Sequence, residues 1–294
     1  MVEAGPGLMD VGASGLRRSL LAASALSLVG IVALYLVAVR TSGGQRLDEL
    51  AVVTHRYDRT TDPDSELYLR VGLGLLAAAG LAICWMARRR PALLVAIVVG
   101  VPTATVSANI LRRLVLGRVD LIGQDSMNGA SFPSGHTSAA VALGIALVLI
   151  GPRRSWLTFV AALGLAGSMG ALVVLIPIHR PSDVVAANLL ALATMCAAVA
   201  LVPGAAAALT SRHPPLPSGR LAMVLGGGAA GWTGVWLGVA TLAARRAGFT
   251  FAAFGSSFPA AVAVTVGCSA VVLGVVGGLV SSAPVSPAGP GAAA

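Results

Sequence analysis

The chain has 294 residues, 56% of them hydrophobic and 11% charged, with a mean hydropathy of +0.88. A single soluble core of this size cannot hide that much apolar surface, which excludes a water-soluble domain. The formal charge of +9 comes from 20 arginines and no lysine, set mostly in short loops beside apolar runs, with no basic stripe interleaved with aromatics, so it speaks for membrane orientation and against a nucleic-acid partner.

Eight apolar runs, each near the roughly 20 residues that a membrane helix needs, are predicted at 19–39, 68–87, 91–111, 135–151, 156–178, 183–203, 221–243 and 258–280. The first follows Arg17-Arg18, is longer than a signal-peptide core and lacks a good cleavage site, so it reads as an anchor. Arg88-Arg89-Arg90-Pro91, Pro152-Arg153-Arg154 and the segment from Ser211 to Arg220 are basic turns, which puts them and the N-terminus on the cytoplasmic side. The longer loop from Arg40 to Glu66 carries arginines too, but also six of the eleven acids. Arg245-Arg246 falls on the side opposite the basic turns, so the orientation rests on the short loops. The expected organisation is an all-α polytopic membrane bundle: a cytoplasmic segment 1–18, a six-span core 19–204, two further spans within 205–280, and a disordered Pro/Ala/Gly/Ser tail 281–294.

Counting spans gathers a set of polar residues on one rim. Arg112, Arg113 and Arg118 follow the third span, His136 opens the fourth, His179 closes the fifth and Asp183 opens the sixth, all on the extracytoplasmic side. The spans themselves are nearly free of ionisable groups, so such a gathering points to a functional site. Ser134-Gly135 at a helix start offers unsatisfied N–H groups and a close-approaching backbone to an anion. The arginines add bidentate contacts to phosphate oxygens. His179 precedes Asp183 by four residues, within reach for the carboxylate to fix the imidazole tautomer and leave the other ring nitrogen as a nucleophile. His136 is then placed to protonate a leaving alkoxide.

These residues carry a family resemblance. Phe132-Pro133-Ser134-Gly135-His136 and His179-x-x-x-Asp183, 43 residues apart from histidine to histidine, resemble the second and third signature motifs of the type-2 phosphatidic acid phosphatase superfamily, over roughly Leu67 to Val202. The resemblance implies a six-helix phosphatase core and hydrolysis of phosphatidate, related lipid phosphates, or polyprenyl phosphates and diphosphates through a phosphohistidine. It also implies His179 as nucleophile, His136 as acid, Asp183 as the supporting carboxylate, and neither metal nor cofactor. The chain departs from the pattern in two places. The first motif, a lysine followed after six residues by Arg-Pro, is degraded around Arg112, Arg113 and Arg118. The Ser-Arg that opens the third motif is replaced by Leu172-Val173. Arg180, beside His179, is the expected substitute, which completes a phosphate-binding set of Arg112, Arg113, Arg118, Ser134, Gly135 and Arg180.

Other features have structural readings. Cys84, Cys196 and Cys268 lie in apolar runs without metal or disulfide spacing. Trp85, Trp156 and Trp232 suit interfaces or packing, the Gly226–Gly228 and Gly277-Gly278 clusters suit close helix packing, Asp120 and Asp125 shape a loop, and His55 and His213 stand apart. The favoured class is a multi-pass lipid phosphatase of a bacterial plasma membrane, its site facing outward. A lipid-phosphate-binding or scaffold protein without turnover is the alternative, supported by the missing arginine. A transporter fits less well, because its polar groups belong at mid-membrane.

Overall fold

In the computed structural model, residues 7–53, 64–123, 131–151, 156–175, 178–210 and 251–282 are described. Among them all regular secondary structure is helical, as expected for a membrane bundle. The helices are α1 (Gly7–Leu34), α2 (Ser42–Val53), α3 (Asp64–Ala87), α4 (Pro91–Ile110), α5 (Gly135–Ile150), α6 (Trp156–Leu175), α7 (Pro181–Leu201), the short α8 (Ala205–Thr210) and α9 (Phe251–Ser282). Two π-helical turns, Tyr35–Val39 and Leu111–Val115, end α1 and α4.

Five described helices are long and apolar enough to cross a membrane, at Gly12–Val39, Leu69–Ala87, Pro91–Val115, Pro181–Leu201 and Ala261–Ser282, while the apolar parts of α5 and α6 are shorter. The expected spans one to six and eight thus appear as α1, α3, α4, α5, α6, α7 and α9. The expected seventh span, 221–243, lies outside the described residues, as do His55, Asp125, His213, Trp232 and the expected tail beyond Ser282, whose first two residues instead end α9. Two boundaries differ from the sequence reading. α1 is helical from Gly7, so most of the expected N-terminal segment belongs to it, and the expected loop after Arg40 holds α2.

Helix ends follow local chemistry. Pro91 and Pro181 sit in the first turns of α4 and α7, where a missing N–H costs nothing. The Ser134 hydroxyl caps α5 by accepting from the Thr137 N–H at 3.3 Å. Between spans, the Arg88 guanidinium lies 3.3 Å over the Trp85 ring, a cation–π contact that suits a membrane interface.

α7 is the central helix. It packs against α1, α4, α5 and α9, and 72% of its apolar window is buried, against 11% for the span of α3. Lipid tails are as apolar as leucine, so close packing rather than apolar transfer holds such helices together. Small residues permit it: a side chain at Gly100 of α4 would meet Met195 Sδ of α7 at 2.7 Å. α3 instead turns Leu75, Leu81 and Trp85 outward. α9 lies on α5, α6 and α7, so this part of the C-terminal addition packs directly on the core. A small second apolar cluster of Ile31, Val39, Ala108, Phe132, Ala186 and Leu190 joins the ends of α1 and α4 to the first turns of α7. Phe132 lies at 5.7 Å from the Tyr35 ring, whose hydroxyl donates to Gly117 O at 2.7 Å.

Candidate active site

The mouths of α5 and α7 are sewn together by backbone. Ser134 N–H donates to the Asp183 carbonyl at 3.1 Å, which brings the two histidine-bearing segments side by side. The His136 and His179 ring centroids lie 6.3 Å apart, edge toward face, a separation on the scale of a phosphoryl group held between them. His179 is buried, and its Nδ1 lies 3.3 Å from Asp183 Oδ2. The same carboxylate oxygen accepts the Arg180 N–H at 2.9 Å, closing the first turn of α7. An ionised carboxylate only accepts, so it selects the tautomer with the proton on Nδ1 and leaves Nε2 with its lone pair. His136 Nδ1 is buried and has no hydrogen-bond partner among the described residues, so no described neighbour fixes its tautomer.

The residues expected to bind phosphate separate into groups. The N–H groups of Gly135 and His136 open α5 and make no hydrogen bond among the described residues, whereas the N–H and hydroxyl of Ser134 are committed to Asp183 and Thr137. A side chain at Gly135 would come nearest the Asn109 amide, at 3.5 Å, an ordinary contact, so packing does not require the glycine. Arg112 and Arg113 ride on the π-helical turn after α4, a distortion frequent at functional sites. Arg112 donates to Asn109 Oδ1 at 2.9 Å, which steers it toward the start of α5. Arg113 is exposed.

Arg118 and Arg180 are placed otherwise. Arg118 pairs with Asp48 at 3.4 Å. Arg180, fully buried, donates through Nε at 2.8 Å and a terminal nitrogen at 2.6 Å to Glu49 Oε1, and through the other terminal nitrogen at 3.2 Å to Ser131 Oγ. Val173, standing where the third motif has its arginine, is fully buried, and its carbonyl accepts from both Ile178 N–H and His179 N–H. Asp120 shapes the loop as expected, accepting from the Ile122 and Gly123 N–H groups.

The sequence reading missed Asn109, Ser131 and, above all, Gln45, Asp48 and Glu49 of α2. A signal for α2 was present, since the three fall at i, i+3 and i+4, on one helical face. Burial and the nearby Asp183 charge push the Asp48 carboxyl up to about 6, against the opposing pull of Ser182 and Arg118.

The fold and site together define a helical membrane bundle with two histidines, one backed by a carboxylate, at the mouths of its helices. Residues 67–206, which carry most of α3 and all of α4 to α7, match the family described as the PAP2 superfamily. Its members are phosphatases of phosphoesters. No curated protein and no solved structure matches the chain.

Proposed function

We propose that this protein is a metal-independent lipid phosphatase of a bacterial plasma membrane whose site opens to the outer face. It acts on phosphatidate or on a polyprenyl phosphate or diphosphate. The observation that carries the reading is the His136–His179 pair at 6.3 Å with Asp183 behind His179. The outward orientation is supported by the basic turns at the opposite ends of the spans.

His179 Nε2 attacks the terminal phosphorus, its bond to the leaving oxygen breaks, and His136 gives its proton to the departing group, an alkoxide from a monoester or a lipid phosphate from a diphosphate. Asp183 holds the positive imidazole that results. Water, deprotonated by His136, then attacks the phosphohistidine, releasing inorganic phosphate and restoring both histidines. Arg112 and Arg113, with the N–H groups of Gly135 and His136, hold the phosphoryl oxygens and stabilise charge where it develops.

Phosphate release by the purified protein in detergent tests this, across phosphatidate, undecaprenyl phosphate and undecaprenyl diphosphate, with His179→Ala as the control. Loss of release in the variant is expected, with vanadate inhibiting and chelators leaving the rate unchanged. A second reading, a lipid-phosphate binder without turnover, is favoured by the buried Val173 in place of the motif arginine. It predicts binding without release in the same assay.

A further inference from the structure

α2 belongs to no motif, yet it fastens three parts of the site to one another. Gln45 Nε2 donates to Val39 O at 2.8 Å, at the end of α1, and to Val119 O at 2.7 Å, in the loop after α4, while Gln45 Oε1 accepts from Leu121 N–H at 3.0 Å. Asp48 accepts from Ser182 twice, from the N–H at 3.2 Å and from the hydroxyl at 2.6 Å, and pairs with Arg118. Glu49 holds Arg180 through two nitrogens. Gly44 lets the helix dock at all, because any side chain there would overlap the carbonyl of Val37. Gln45, Asp48, Glu49 and Arg180 are each at most 5% exposed, so these polar contacts are made away from water, where losing a partner is costly.

The two α7 residues that α2 grips, Arg180 and Ser182, bracket the turn between His179 and Asp183. The Arg180 N–H and the His179 ring share one oxygen of Asp183. A shift of Arg180 therefore moves the group that orients the nucleophile. With its guanidinium directed to Glu49 and Ser131, Arg180 reaches the chemistry through position and not through contact with phosphate.

We infer that α2 is a positioning clamp for the nucleophile's turn, and that Glu49 and Asp48 are positioning residues acting through Arg180 and Ser182. The inference rests on the reading of His179 as nucleophile. The opposite reading of the same contacts, in which the α2 carboxylates stand in for phosphate and withhold Arg180 from substrate, predicts the reverse sign.

The experiment measures kcat, KM and vanadate inhibition of the full chain in detergent for Glu49→Gln, Glu49→Ala, Asp48→Asn and the exchanged pair Glu49→Arg/Arg180→Glu, together with hydrogen exchange of the backbone from residue 178 to 184. Displacement of a reacting group by an ångström lowers a rate by about 100-fold. A kcat lower by about that factor is expected for Glu49→Ala, with KM and vanadate inhibition little changed, faster exchange at His179 and Ser182, and substantial rescue in the exchanged pair. Unchanged kcat and exchange in both Glu49→Ala and Asp48→Asn overturns the clamp. So does faster turnover or tighter vanadate inhibition in Glu49→Ala. If the unaltered protein releases no phosphate and His179→Ala matches it, the phosphatase reading fails, while the exchange data still decide the clamp.

Discussion

Four of the arginines at the histidine end of the bundle divide into two pairs. Arg112 and Arg113 stand on the turn after α4 with no carboxylate partner among the described residues, while Arg118 and Arg180 are held by Asp48 and Glu49 of α2. Arg180 is the immediate neighbour of His179 in sequence, yet its guanidinium is the most deeply committed of the four. The partners a guanidinium has already met decide whether it can serve a substrate, and distance along the chain does not.

The strongest way to break this division is Arg180→Ala. It takes from the buried Glu49 the guanidinium that holds it, and losing one partner of a buried pair costs about 3–5 kcal/mol. A large fall in thermal stability in detergent is expected, partly restored by Glu49→Ala in the same chain. A stable Arg180→Ala protein with weakened phosphate binding would place Arg180 with the other pair. Arg112→Ala is expected to leave the melting temperature nearly unchanged and to lower kcat/KM by about 10²–10³, the usual effect of losing one donor at a developing oxyanion. If it unfolds the protein instead, the two pairs are alike.

A pH titration sharpens the comparison from the α2 side. The Asp48 carboxyl titrates at about 6 in the folded protein against an ordinary 3.8, so the folded state binds this proton more tightly than the unfolded chain. Its contribution to stability is full below about 4 and is lost as pH rises through about 6, with Asp183, Ser182 and Arg118 as the facing groups. Asp48→Asn should flatten stability across that window, read by unfolding at several pH values. The smallest effect is expected for Arg113→Ala. Its side chain is exposed, where a charge contact is screened and contributes roughly 1 kcal/mol or less. A fall in kcat/KM of less than about tenfold is the expected result.

Much of the fold was legible because membrane helices announce themselves by length and hydropathy. The runs around 91–111 and 183–203 reappear as α4 and α7, and the pairing of the His136 and His179 segments followed from counting spans. α2 was not legible as an element. It is short, carries Gln45, Asp48 and Glu49 among apolar positions, and reads as a polar loop until something is packed against its acidic face.

The chemical groups at the helix mouths, His136 and the His179-x-x-x-Asp183 spacing, were determined by the sequence alone, because a four-residue spacing at a helix start brings ring and carboxylate together whatever surrounds them. Which arginines are held by carboxylates was decided only by the tertiary structure. Arg180 and Glu49 are 131 residues apart and Arg118 and Asp48 are 70 apart, and no local pattern specifies such pairs. They form because a guanidinium and a carboxylate buried at the same end of a bundle, each costly to leave alone in a low dielectric, find one another there.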